Sequence, residues 1–129
     1  MVYGYRFGWV TLDSTNRGWM SADINTFAPA KRAVIALCGP IAQAAYLDRE
    51  LPLEEGDAQI VAHSLAADRR LSRDVIVARA NAIVTTNWAM ITRSAQALLN
   101  ARSGRLSYAQ LVAINTQLED RVWRVLRFA

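Results

Sequence analysis

His63 and Cys38 are the only histidine and the only cysteine of the chain, set among eleven carboxylates, fourteen arginines and one lysine. One cysteine forms no intramolecular disulfide, and one Cys with one His makes neither a Cys/His zinc finger nor a two-histidine metal motif. A nucleophilic Cys38 would need a base, and His63 is the sole candidate. Lying in the most apolar stretch of the chain, Cys38 reads instead as a small buried hydrophobe. His63 has no carboxylate in register to make it a general base and reads as a partly exposed helical histidine. Asp57 follows Gly56 at the head of a helical pattern, so its carboxylate either caps that helix or binds a metal. Capping alone explains an Asp at that place, and it is the reading adopted for the chain as it stands. The acidic stretch Asp48, Glu50, Glu54, Glu55 and Asp57 lacks the alternating D-x-D-x-D-G order of a calcium loop and reads as a solvated loop. Arg121, Arg124 and Arg127 interleave with Trp123 and Phe128 in a pattern able to grip phosphates and stack on bases. The helix dipole also favours cations at a carboxyl end, and no helix-turn-helix signature or lysine-rich arm is present. Nucleic acid is therefore the minor reading.

The elements that must position these residues follow from local pattern. Aromatic and β-branched residues predict a strand over Tyr5–Leu12. Asp13-Ser14-Thr15-Asn16-Arg17-Gly18 reads as a turn, and a second short strand near Trp19–Ala22 completes a β-hairpin. The remainder is helical in composition. Pro29 suits a first turn, and the helix from Ala30 to Leu47 is apolar nearly all round and weakened or kinked at Gly39-Pro40. Asp57 to about Ala67 forms a shorter helix, with Ile60, Val61, Ser64 and Leu65 at helical spacing. Ser72 to Ala101 reads as one long helix whose face runs Ile76, Ala80, Ile83, Asn87, Ile91, Ala95 and Leu98, ended by Arg102-Ser103-Gly104. The last helix has the clearest start signal. Ser107 and Gln110 are spaced as a capping box, Leu106 and Leu111 as a hydrophobic staple around it, and apolar positions continue to Val125 or Leu126.

A chain of 129 residues, 53% of them hydrophobic and with mean hydropathy +0.08, has the length and composition of one compact domain spanning residues 1–129. The net charge of +4 is uneven: residues 1–60 sum to −2 and residues 61–129 to +6. Such asymmetry steers partners without naming them. The longest uncharged stretch, Ala33–Leu47, is short of the roughly 18–20 residues a membrane span requires. Met1–Met20 has no uninterrupted apolar run behind a basic start, so no secretory leader is expected and the default location is cytoplasmic.

Three segments, in order, resemble the zinc metallopeptidase domain of FtsH-type ATP-dependent proteases and their short bacterial relatives. Leu37-Cys38-Gly39-Pro40-Ile41-Ala42-Gln43 resembles that family's A-G-x-x-A-E stretch, with Cys38 and Gln43 departing from it. Gly56-Asp57, heading Asp57-Ala58-Gln59-Ile60-Val61-Ala62, is similar to the segment whose Asp supplies the third zinc ligand. Trp88, Ile91, Ala95, Leu98 and Leu99, followed by Leu106-Ser107-Tyr108-Ala109-Gln110-Leu111, resemble the long helix and the capped final helix. The resemblance spans nearly the whole chain and implies a mainly α fold: a short amino-terminal β-hairpin or strand, then about four helices, in an α+β peptidase-domain-like bundle.

The family's HExxH helix, in which two His hold one metal and the Glu activates water, has no counterpart here, since no His-Glu pair occurs. The resemblance then implies Asp57 as the one remaining metal ligand, and a single carboxylate does not hold catalytic zinc, which takes three protein ligands. No cofactor is expected for the chain as given. The leading expectation is a metallopeptidase-like domain, catalytically incompetent as given, that acts by association with itself or another protein. Loss of the HExxH helix would uncover apolar surface on Ala33–Leu47, and four Trp (Trp9, Trp19, Trp88, Trp123) are more than one domain easily buries. The alternatives are a zinc-dependent peptidase whose HExxH lies upstream of Met1, and a basic helical nucleic-acid-binding regulator. No G-x-x-x-x-G-K motif occurs, so the motor half of an FtsH-type protease is not encoded here.

Overall fold

The computed structural model describes the backbone of residues 9–12 and 18–20 and, with side chains, residues 27–50 and 52–115. The described chain is mainly helical. It divides into two compact units, Ile24–Thr86 on one hand and Met1–Asp23 with Asn87–Ala129 on the other.

The first unit holds three helices. Helix α1 runs Pro29–Leu47, α2 Glu55–Ala67 and α3 Arg73–Thr86, and both α2 and α3 pack on α1. Pro29 opens α1 because a first-turn residue has no intrahelical use for an N–H. The helix runs through Gly39-Pro40 without interruption, although Pro40 leaves the Ala36 carbonyl without its usual donor, a loss of order ~3 kcal/mol in a helix interior. It ends at Asp48, whose φ of 51° and ψ of 44° are left-handed, and the Arg49 N–H donates to the Ala44 carbonyl at 3.1 Å. Ala33, Val34, Ala36 and Leu37 are buried on α1, facing a core completed by Val61 and Ser64 of α2 and by Ile76, Ala80 and Val84 of α3. Alanines at three of these places let helix axes approach closely. Ile76, Val34 and Val61 anchor the unit, each fully buried side chain contributing about 1.5–3 kcal/mol. Ser64 satisfies its buried hydroxyl by donating to the Ile60 carbonyl at 2.7 Å.

The second unit begins at Asn87, and here the structure corrects the sequence reading. The single helix expected from Ser72 to Ala101 is two: α3 stops at Thr86 and α4 runs Trp88–Asn100. Asn87, with φ −108° and ψ 18°, leaves helical geometry between them and is buried. The β-branched pair Thr85-Thr86 followed by Asn is the local reason, since all three are poor helix formers. The break also shifts the faces. Val84 rather than Ile83 is the buried end of α3, and on α4 Met90 is buried while Ala95 is exposed.

Strands β1 (Trp9–Leu12) and β2 (Gly18–Met20) pair antiparallel, with Val10 opposite Met20 and Leu12 opposite Gly18. The turn expected between them lies, up to Gly18, outside the described residues. A third strand, β3 (Arg105–Ser107), pairs on the other side of β1, giving the order β2-β1-β3. Its three residues carry no strand pattern of their own. Gly104, at φ 63°, makes the turn out of α4, where its N–H donates to the Ala101 carbonyl at 3.0 Å.

Helix α5, Tyr108–Ile114, starts as its sequence specifies. The Gln110 N–H donates to Ser107 Oγ at 3.1 Å, and the Ser107 N–H donates to Gln110 Oε1 at 2.8 Å. Leu106 and Leu111 are both buried in one cluster with Ala97, Leu98, Ala101, Tyr108 and Ile114 against it, which is the staple made three-dimensional. The expected continuation of this helix past Asn115 lies outside the described residues.

Candidate functional site

Asp57 lies on α2, but not where a cap would. The helix starts two residues earlier than its sequence suggests, with Glu54 in the N-cap place (φ −64°, ψ 153°) and Glu55, Gly56 and Asp57 as its first turn. The capping reading of Asp57 is therefore corrected. Carboxylates in a first turn suit the positive end of the helix dipole, which is why Glu55 and Asp57 are tolerated there together. Asp57 is on the inner stripe of α2, in register with buried Val61 and Ser64 at the i+4 and i+7 places. Half-buried there, it is desolvated, and burial first and the neighbouring Glu54 second push its carboxyl above the ordinary carboxylate range. A cation beside it would relieve both effects.

No second ligand converges on it within the described residues. His63 is also on α2, six residues and about 600° of helical rotation further on, and it faces solvent while Asp57 faces inward. Cys38 is half-buried on α1 beside buried Leu37, rather than fully buried as expected, and burial pushes its thiol up to about 11. Asp48 closes α1, and Glu50, Glu54 and Glu55 are exposed around the connection to α2. Among the described residues no group of three His, Cys, Asp or Glu side chains could hold a metal ion. The donor set present does not fit catalytic zinc, which needs three protein ligands and an open position.

The stretch Leu37–Gln43 lies wholly within α1, and its outward side is open. A Cβ placed on Gly39 meets no heavy atom within 4 Å. Gly39, Gln43 and Tyr46 succeed one another at i+4 and i+7 on an exposed stripe, and the last turn presents Tyr46 at 76% and Leu47 at 41% exposure. These two apolar side chains are adjacent in sequence and about 100° apart around the last turn of the helix. No helix of the described residues is long and apolar enough to cross a membrane.

Other candidates are distributed differently. Trp88 is half-buried at the start of α4. The side chains of Trp9, Trp19 and Trp123, and the arginine group Arg121, Arg124 and Arg127, lie outside the described residues. One buried polar residue belongs to no motif of the sequence. Asn115 is buried and donates through Nδ2 to Ser94 Oγ at 2.9 Å and to the Leu111 carbonyl at 3.1 Å, tying the end of α5 to α4. Its only sequence signal is its position one helical turn after Leu111. Comparison of the chain with protein-family models, with curated protein sequences and with solved structures finds no match.

Proposed function

We propose that the chain is a metallopeptidase-like domain, catalytically incompetent as given, that acts by protein association and chiefly with copies of itself. The observation that carries the reading is the exposed stripe of α1, open at Gly39 and ending in Tyr46 and Leu47. Part of that stripe, Gly39 and Gln43, lies in the segment that resembles the A-G-x-x-A-E stretch, and the resemblance implies that a catalytic helix would otherwise cover the surface of α1. The absence of any His-Glu pair from the sequence and the solvent-facing place of His63 agree with a role that does not use water activation. In this reading the fold is the peptidase-like α+β arrangement, an amino-terminal β-hairpin followed by helices. Size-exclusion chromatography with light scattering tests it. An oligomer that dissociates on dilution is expected, and a clean monomer at high concentration refutes it.

A second reading is favoured by Asp57. Its carboxylate is desolvated, with no cap role to occupy it, as the third ligand of a zinc site would be. On that reading the chain is part of a zinc-dependent peptidase whose HExxH is encoded upstream of Met1. An in-frame His-Glu-x-x-His codon run upstream would establish it, and an in-frame stop codon immediately before Met1 would remove it.

A further inference from the structure

Resting on self-association as the mode of action, we propose that the contact is head to tail: the acid-rimmed apolar end of α1 receives the Arg121–Phe128 segment of a second copy. The receiving patch has Tyr46 and Leu47 exposed at its centre. Following it in sequence come Asp48, Glu50, Glu54 and Glu55, all exposed, and half-buried Asp57 in the first turn of α2, with Arg49 the single cation among them. The donor segment reads Arg-Val-Trp-Arg-Val-Leu-Arg-Phe, three guanidinium groups and five apolar side chains with no acid. Exposed apolar residues followed by acids in one segment, and apolar residues interleaved in sequence with guanidinium groups in the other, are complementary in charge and in apolar character.

Charge also decides the geometry of association. Two α1 ends meeting face to face would set carboxylates against carboxylates, and two carboxyl segments would set arginines against arginines. Like charges juxtaposed at an interface are penalised, so each patch disfavours its own copy and favours the other. The two contacts made reciprocally close a two-fold dimer, and made in one direction only they propagate a chain of subunits. Planar guanidinium groups suit the carboxylate rim, and Trp123 and Phe128 suit Tyr46 and Leu47.

A charge-reversal cycle on the full chain, read by concentration-dependent light scattering with far-UV circular dichroism as the check of folding, tests this. Raising salt from about 50 mM to 500 mM should weaken association about tenfold, because the rim is solvent-exposed and screened. Glu50→Lys with Glu55→Lys, and separately Arg121→Glu with Arg124→Glu and Arg127→Glu, should each weaken self-association about tenfold or more. Mixing the two variants should restore a complex, since each then offers the surface the other lacks. Tyr46→Ser, at a freely exposed position, should weaken association without altering the fold. A wild-type monomer would overturn both this contact and the proposed function. An oligomer indifferent to salt and to both reversals would overturn the contact alone. Reversals that change thermal stability but not oligomeric state would place the segment on its own chain and equally overturn it.

Discussion

Gly39→Ala is the perturbation whose outcome the structure specifies most closely. Gly39 sits in the interior of a 19-residue helix, ten residues after its start and eight before its end, where glycine is destabilising by roughly 1 kcal/mol relative to alanine through lost backbone entropy. Whether that can be recovered depends on what the new methyl group meets: beyond the adjacent residues and the helix's own backbone a Cβ there has no heavy atom within 4 Å, but the adjacent Pro40 crowds a Cβ on the residue before it in helical geometry. The change should therefore stabilise the protein by at most about 1 kcal/mol, or roughly 3–5 °C in the unfolding midpoint for a chain of this size, reduced by the crowding at Pro40. Urea and thermal unfolding followed by far-UV circular dichroism measure it. Gly56→Ala provides the comparison: its Cβ also meets nothing, but it occupies the second position of α2, where the helix is least committed, and a gain of only about 0.5 kcal/mol is expected. Because Gly39 lies on the stripe proposed for association, unfolding is followed at a concentration below that at which the oligomer forms, which separates stability from association. Repeating the change in a Pro40→Ala background removes the crowding by the proline, and a neutral or destabilising Gly39→Ala there would show that the outward side of α1 is covered and defeat the account of the open stripe.

Ser107→Ala removes the acceptor of the Gln110 N–H and should cost about 1 kcal/mol, measured as a shift of the urea midpoint; an unchanged midpoint would mean that the box contributes nothing to α5. Asp57→Asn should stabilise the protein at neutral pH. The folded-state carboxyl is raised above its unfolded value, so the stability it permits is present at low pH and lost as pH rises through the folded pKa. The advantage of Asn over Asp should close as pH is lowered through the ordinary carboxylate range, and a variant less stable than wild type at pH 7 would show that Asp57 is held by a partner charge. Cys38, with its thiol at about 11, should react with iodoacetamide at pH 8 about a hundredfold more slowly than a free thiol of ordinary pKa; alkylation at the free rate would place it in solvent.

Much of this architecture was legible because its signals are local. The capping box and staple of α5 involve Leu106, Ser107, Gln110 and Leu111, residues at most five apart, so their pattern needs no knowledge of packing. The start of α1 at Pro29, the end of α2 at Ala67 and the inertness of Cys38 belong to the same category, since each depends on a residue's own backbone limits or immediate apolar neighbours. The candidate site was less legible. That Asp57 follows Gly56 suggested a cap, yet the choice between Glu54 and Asp57 as the first helical boundary rests on which residues α2 turns toward α1. Once Val61 and Ser64 are buried, the same stripe carries Asp57 inward and makes it a desolvated third residue.

The sequence by itself determined that this chain has no His-Glu pair, no disulfide and a predominantly helical pattern, because residue identity and short-range periodicity suffice for those statements. Only the tertiary structure decided that residues 73–100 form two helices joined at a buried Asn87, that Arg105–Ser107 becomes a strand, and that Asn115 is a buried tie between α4 and α5. Those outcomes share one physical reason. A short strand exists only by hydrogen bonding to β1 from the far end of the chain, a buried amide only by meeting Ser94 on another helix, and a helix break only where packing favours departure from a marginal local preference. Such partners are distant in sequence, and no pattern within a turn or two of the residue itself encodes them.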